Sequence, residues 1–340
     1  MSKFILAGDI GGTKTLLQLA ACREGGIFVE REQYFDSAAY ADFDALLRDF
    51  LQTDKKKIGQ ACFAVAGPIS HLHQAQRASL TNLPWQLDSA AIAAKFALPQ
   101  VKLINDFEAV ALALADKAAL PAGDLLTLQA GEEMPQGASV VLGAGTGLGV
   151  AWLNWHETRS PPQYLPQTSE AGHMDFAPAD ELQAALLVYL RQKFGHVSYE
   201  RIVSGAGLVE IFVFLQSRLG EDTGLVQVTL NSDGAARVAE LAQHRKHPIA
   251  AKALDMFVEI YGAFAGNLAL AGMTRGGVYI AGGIAPKIIG TLQQGGFMRA
   301  FQDKGRFAPL MREIPVKVVM NPKVGLLGAT REAARLADAA

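Results

Sequence analysis

The chain has 340 residues, half of them hydrophobic, and a formal net charge of −2, so it has the length and apolar content for two core-bearing domains. With only the short basic runs Lys55-Lys56-Lys57 and Arg245-Lys246, it lacks the electrostatic footprint of a nucleic-acid binder. Cys22 and Cys62 are the only cysteines, which excludes a disulfide framework, a zinc ribbon and a Cys-x-x-Cys redox pair and makes a reducing cytoplasm the simplest home.

Phe4 to Leu19 reads as strand, tight turn and returning strand. Its apolar start stops at Asp9, too early for a signal-peptide core. Gly11 and Gly12 are expected to take positive φ and leave amide N–H groups uncovered, with the Thr13 hydroxyl and the Lys14 cation beside them, a turn that can hold phosphate. Asp9, at the carboxyl end of the first strand, is placed to hold a Mg²⁺ through waters. An ordinary hairpin with a solvated aspartate fits the same residues.

Arg23-Glu24-Gly25-Gly26 is a turn, and Ile27 to Phe35 makes a third strand, completing a meander. Phe43, Leu46, Leu47, Phe50 and Leu51 recur at helical spacing behind the N-cap Asp42. Gln60 to Ala66 is a buried strand ending at Gly67-Pro68, and Asp88-Ser89 caps a helix to about Phe96. Val101 to Ile104 is the next strand, and Phe107, Val110, Ala111 and Leu114 mark a helix face after it. Asn105 and Asp106 therefore sit at a strand's carboxyl end and a helix's amino end, the edge where open α/β sheets bind ligands. An aspartate before a helix is also a common N-cap.

Met134 to His156 carries no Asp, Glu, Lys or Arg, yet its Gly, Ser, Thr, Asn and Gln content makes it strand, turn, strand rather than a membrane span. The opening pattern returns here: Val140 to Leu142 as strand, Gly143-Ala144-Gly145-Thr146-Gly147 as turn, Leu148 to Leu153 as strand. Gly143 takes the place of Asp9, and Gly145-Thr146 follow as Gly12-Thr13 did. A duplicated lobe is implied, with two phosphate-holding turns facing a cleft. The glycines at 143, 145, 147 and 149 do not fit Gly-x-Gly-x-x-Gly, and no P-loop pattern occurs.

Ser169-Glu170-Ala171-Gly172-His173 lies in a loop, and Tyr199-Glu200-Arg201 precedes a helix containing Leu208, Ile211, Phe212 and Leu215. Glu170, His173 and Glu200 offer several acceptors and an orientable donor, which suits hydroxyl recognition better than a structural metal. Glu200 also fits a first-turn helix carboxylate. Lys252 to Met273 is the longest helix, a core helix whose uncharged run is too short to span a membrane. Val278 to Ala281 feeds Gly282-Gly283, where a flat nucleoside can lie close on the backbone. Val316 to Met320 is the last strand, and the helix Val324 to Leu336 packs back on the first lobe.

The order of these pieces resembles the bacterial ATP-dependent glucokinases, within the sugar kinase, actin and Hsp70 ATPase superfamily. Eight stretches carry the resemblance across the chain: Asp9-Ile-Gly-Gly-Thr, Ala66-Gly67-Pro68, Leu80-Thr81-Asn82-Leu83-Pro84-Trp85, Asn105-Asp106-Phe107-Glu108-Ala109, Gly143 to Gly149, Ser169 to His173, Tyr199 to Gly205 and Ala281-Gly282-Gly283-Ile284. The resemblance implies an α/β, two-lobed actin-like ATPase (ribonuclease H-like) fold with a duplicated mixed β-sheet core and an interlobe cleft. The small lobe is expected at 1–116 plus 323–340 and the large lobe at 117–322. It implies Asp106 as catalytic base. Asn105, Glu170, His173, Glu200 and, with Asp106, Gly67 would bind the sugar. Mg-ATP would be handled by Asp9, Gly11, Gly12, Thr13, Gly143, Gly145, Thr146, Gly147, Gly282 and Gly283. The expected reaction is transfer of the γ-phosphoryl group to the 6-hydroxyl of glucose, the first step of glycolysis, in a cytoplasmic homodimer binding neither nucleic acid nor membrane.

The family more often has Glu-Gly-Gly-His where this chain has Glu170-Ala171-Gly172-His173, a methyl that is tolerated unless the loop needs positive φ. The related repressor, open-reading-frame and kinase family usually carries a Cys-x-Cys-Gly-x-x-Gly-Cys zinc element that is missing here, which favours the zinc-free glucokinase branch. Three alternatives remain at this stage. They are a kinase of mannose, fructose or an N-acetylhexosamine, a sugar-sensing regulator, and a structural or chaperone ATPase with no use for the sugar set.

Overall fold

The computed structural model describes residues 3–24, 26–52, 56–72, 75–80, 83–219, 234–243 and 247–338. Gly25, Lys55, Thr81, Asn82, Arg245 and Lys246, singled out above, lie outside the described residues. The chain divides into two compact units, Met1–Leu120 with Lys323–Ala340, and Pro121–Pro322.

In the first unit, β1 (Lys3–Ile10), β2 (Lys14–Arg23) and β3 (Gly26–Asp36) form the meander. α1 (Phe43–Leu51) follows, capped by Asp42, whose carboxylate accepts the Ala45 N–H at 2.7 Å. After β4 (Ile58–Val65) come β5 (Ile69–Leu72), β6 (Ala75–Ser79) and β7 (Gln86–Asp88), a separate three-stranded sheet whose members are too short to show a period in sequence. α2 (Ser89–Lys95), capped by Asp88, leads to β8 (Gln100–Asn105) and α3 (Asp106–Ala115). The main sheet has the order β3-β2-β1-β4-β8, with β1 parallel to β4 and β4 parallel to β8.

Side chains alternate across this sheet with the period of a strand. Leu6 and Ile10 of β1 and Phe63 and Val65 of β4 face α1 in one core. Ile5 and Ala7 of β1 and Cys62 and Ala64 of β4 face the other, where α3 and the closing helix Val324–Asp338 cover them. By the same alternation Asp9 belongs to this second face. The closing helix crosses α3 at backbone distance: a Cβ on Gly328 would lie 1.7 Å from the Ala109 carbonyl oxygen.

The second unit contains β9 (Leu125–Gln129), β10 (Ser139–Ala144), β11 (Leu148–His156) and β12 (Gln163–Ser169). α4 (Glu181–Phe194), α5 (Gly205–Leu219), α6 (Gly234–Ala242) and α7 (Pro248–Gly272) precede β13 (Gly277–Ala281) and β14 (Val316–Val319). The sheet order is β12-β11-β10-β13-β14-β9. β10 to β14 thus repeat the first unit's plan, an antiparallel meander followed by parallel neighbours, and β9 adds an antiparallel edge.

The two turns differ in length by one residue. The Ile10↔Thr15 pair closes the first turn over Gly11 to Lys14, and the Ala144↔Leu148 pair closes the second over Gly145 to Gly147, one residue fewer. Counted back from the returning strand, Gly145 and Thr146 fall at Gly12 and Thr13, so the extra residue of the first turn lies on the side of β1. By length and composition α7 could cross a membrane, which corrects the argument from its uncharged run, but 72% of its most apolar window is buried within the folded chain. Phe257, Tyr261, Phe264 and Leu268 of α7 fill the second unit's core.

Candidate active site

In the first unit the expected residues gather at the carboxyl edge of three parallel strands. Register places Ile10 beside Val65 and Val65 beside Asn105. Asn105, not Asp106, is the N-cap of α3: its Oδ1 accepts the N–H groups of Phe107 at 2.9 Å and Glu108 at 3.4 Å. Asp106 is then the first helical residue, half-buried, with Oδ1 accepting the Phe107 N–H at 3.0 Å. The Asn105 Nδ2 donates to the Gly67 carbonyl at 3.2 Å. Gly67 must be glycine because a Cβ there would lie 2.3 Å from the Ser79 carbonyl oxygen.

Asp9 keeps some accessible surface, yet protein packs closely around its carboxyl group. That burial, with the Asp106 carboxylate acting in the same direction, pushes its pKa up to about 6. Gly325, in the first turn of the closing helix, makes room for it: a Cβ there would stand 2.9 Å from Asp9 Oδ2. Two neighbouring carboxylates that resist ionising together are a setting that a divalent cation relieves. Mg²⁺ commonly uses one or two protein carboxylates and completes its shell with waters and phosphate oxygens. Among the described residues no group of three or more His, Cys, Asp or Glu could hold a metal, so Asp9 fits a cation bound mainly by other oxygens.

The first glycine turn departs from expectation. Neither Gly11 nor Gly12 has positive φ, and the Gly11 N–H already donates to the Lys14 carbonyl at 3.0 Å. What Gly11 supplies is closeness, since a Cβ would lie 3.0 Å from that same oxygen. Ser37, which the sequence reading missed, braces the turn from beyond β3. Its N–H donates to the Thr13 carbonyl at 3.0 Å, its hydroxyl to the Gly11 carbonyl at 2.9 Å, and it meets the Thr15 hydroxyl at 2.9 Å.

In the second unit the turn Gly145–Gly147 is closed by the Gly145 N–H donating to the Gly147 carbonyl at 2.8 Å. Gly282 is brought beside it, with φ of +82° and a Cβ position 2.5 Å from the Ala144 carbonyl oxygen, while a Cβ on Gly283 would meet open space. Tyr261 of α7, fully buried, accepts the Ala144 N–H at 3.1 Å.

Glu200 lies in the short 3₁₀ turn Tyr199–Arg201, not in the first turn of α5, and its Oε2 accepts the Leu148 N–H at 2.9 Å. Its Oε1 is 3.9 Å from His173 Nε2. His173 ends another 3₁₀ turn, Ala171–His173, preceded by Glu170, whose side chain is exposed and whose carbonyl accepts the His173 N–H at 2.9 Å. Ala171 has no positive φ and its methyl packs in the core, so alanine suits that position. Gly172 is the obligate glycine, because a Cβ would lie 2.0 Å from the Leu148 carbonyl oxygen.

A family profile described as glucokinase matches residues 6–336. A glucokinase of Nostoc punctiforme is 40% identical over 349 residues, which cover 98% of this chain and 99% of that one. A crystal structure of a glucokinase from an Antarctic psychrotroph superposes with a TM-score of 0.83 at 29% identity, covering 98% of this chain and 99% of that one. A ROK family glucokinase from Streptomyces griseus, solved in complex with glucose and AMPPNP, has a TM-score of 0.60 at 17% identity, with 98% and 99% covered, and shares the fold.

Proposed function

The chain belongs to the glucokinase family, and on that premise we propose that it transfers the γ-phosphoryl group of ATP to the 6-hydroxyl of glucose, giving glucose 6-phosphate and ADP. It is an enzyme with the actin-like ATPase fold of sugar kinases. The observation that carries the reaction is the position of Asp106: it is the first residue of α3, at the carboxyl edge of β8 and next to the cap Asn105, so its half-buried carboxylate stands where open α/β sheets bind their ligands.

Asp106 takes the proton of the 6-hydroxyl as that oxygen attacks in line. Little covalent chemistry is asked of the protein, because the phosphoryl group passes through a loose transition state and positioning dominates. A positioned base adds about 10²- to 10⁴-fold. Asn105, Gly67, Glu170, His173 and Glu200 hold the remaining hydroxyls. The turns Gly11–Thr13 and Gly143–Gly147, with Gly282 and Gly283, hold the nucleotide, and Asp9 would hold Mg²⁺, through water. When bound, Mg²⁺ neutralises charge on the phosphate oxygens. The chain acts as a cytoplasmic homodimer in glycolysis, without nucleic acid or membrane as partner.

The test is ADP production from Mg-ATP with glucose, mannose, fructose and N-acetylglucosamine at matched concentrations. Glucose is expected to drive turnover best. Preference for another hexose would keep the kinase and change its substrate, and equal turnover without sugar would overturn the reading.

A further inference from the structure

We propose that Glu200 couples the sugar to the nucleotide: its carboxylate joins the hydroxyl-binding set to the turn Gly143–Gly147, so that occupancy of one tightens binding at the other. The inference rests on the hydroxyl-binding role proposed above for Glu200.

The geometry places one carboxylate on both duties. Glu200 Oε2 accepts the Leu148 N–H at 2.9 Å, and a bond from an amide to an ionised oxygen is about twice as strong as a neutral one. Leu148 is the residue that closes the turn, through its pairing with Ala144. The residue before it, Gly147, has its hydrogen where a side chain would strike Glu200, since a Cβ would lie 2.6 Å from Oε2. The other oxygen, Oε1, looks toward His173 at 3.9 Å. Gly172, beside His173, sits against the Leu148 carbonyl at a distance that admits no Cβ. Leu148 is thus gripped from both sides by the segments that carry the hydroxyl-binding residues.

Glu200 is itself held at its base. Its neighbour Tyr199 is buried, stacked on Phe264 with ring centroids 4.2 Å apart, and its hydroxyl accepts from Asn267 at 3.0 Å. The Val203 N–H donates to the Tyr199 carbonyl at 2.7 Å. With its backbone fixed, the freedom left to Glu200 is in its side chain. An ionised carboxylate offers about four lone-pair sites, enough for a sugar hydroxyl and the Leu148 amide together. A sugar that donates to Glu200 fixes its rotamer, the rotamer fixes the Leu148 amide, and the turn no longer has to be ordered by the nucleotide. By linkage the effect runs equally in both directions.

Calorimetric titration of the full chain with a non-hydrolysable ATP analogue and Mg²⁺, with and without saturating glucose, tests this. In the wild type, glucose is expected to lower the nucleotide Kd by about fivefold or more, the usual lower bound of such coupling. Gly147→Ala removes no hydroxyl-binding group but pushes the Glu200 carboxylate aside. It should weaken glucose binding several-fold even without nucleotide and bring the coupling ratio to about one. Glu200→Gln, which keeps the side chain's shape without its charge, should also reduce the ratio toward one. Because the ratio is taken within each variant, a smaller folded fraction cancels. Glucose that binds the wild type without changing the nucleotide Kd, or a wild-type ratio in both variants, would overturn the coupling while leaving the kinase reading intact. A wild type that binds no glucose would overturn both.

Discussion

The Asn105 side-chain amide donates to the Gly67 carbonyl at 3.2 Å, and the same side chain caps the helix that starts at Asp106. One residue therefore sets both the loop after β4 and the start of α3. Asn105→Asp keeps the capping acceptor but turns a donor toward Gly67 into a second acceptor, and adds a third carboxylate near Asp9 and Asp106. It should fold normally yet lose on the order of 100-fold in kcat/KM for glucose, as expected for a misplaced reacting group. Asn105→Ala should show the same loss and a further ~1 kcal/mol of instability from the missing cap. Steady-state kinetics with thermal melts separate the two.

Asp9 has its carboxyl raised to about 6 by burial and by Asp106. A carboxyl raised in the folded state holds its proton more tightly there than when unfolded. This group thus leaves stability unaffected below about pH 4 and lowers it progressively as pH rises to about 6. Asp9→Asn should accordingly melt at higher temperature than wild type at pH 8, by up to about 3 kcal/mol of stability, with the advantage gone by pH 4. The same variant should lose kinase activity. Melts of both proteins across that range without nucleotide check the sign; equal melting at pH 8 would refute it.

Gly325→Ala is expected to uncouple stability from activity. Its methyl would stand 2.9 Å from Asp9 Oδ2, so the carboxylate or the helix must move. Helix propensity alone favours alanine by up to about 1 kcal/mol, and the melting temperature should hold. The kcat/KM for ATP should fall about 10- to 100-fold, the scale of a reacting group shifted by an ångström or less. Kinetics varied in ATP at saturating glucose give the answer.

Tyr261→Phe removes the hydroxyl that accepts the Ala144 N–H at the mouth of the second turn. The site is fully buried, so the amide loses its partner and stability should drop by about 1–3 kcal/mol. Nucleotide affinity should weaken more than glucose affinity, since the bond lies on the side of Gly143 and Gly282. Denaturation and separate binding titrations distinguish these effects.

The hairpins, the duplicated sheet plan and the strand-edge position of Asn105 and Asp106 were legible because each rests on local patterns of glycine and apolar residues. The residues that hold them were not, because their meaning comes from distant contacts. Leu148 and Glu200 are separated by 52 positions and meet through a backbone amide. Ser37 lies beyond a whole strand from the turn it braces. Gly325 and Gly328, three apart on the closing helix, do leave a trace in sequence as small residues on one face, but only packing shows that they clear Asp9 and Ala109. The misjudged backbone of Gly11 has a similar cause: its glycine serves close approach to Lys14 rather than a left-handed turn.

The most direct measurement is phosphorylation of glucose by Asp106→Asn alongside wild type, with glucose binding titrated for both. The variant is expected to bind glucose within a few-fold of wild type and to lose about 10²- to 10⁴-fold in kcat, the contribution of a positioned base. A variant that turns over at the wild-type rate would contradict the assignment of Asp106 as the base.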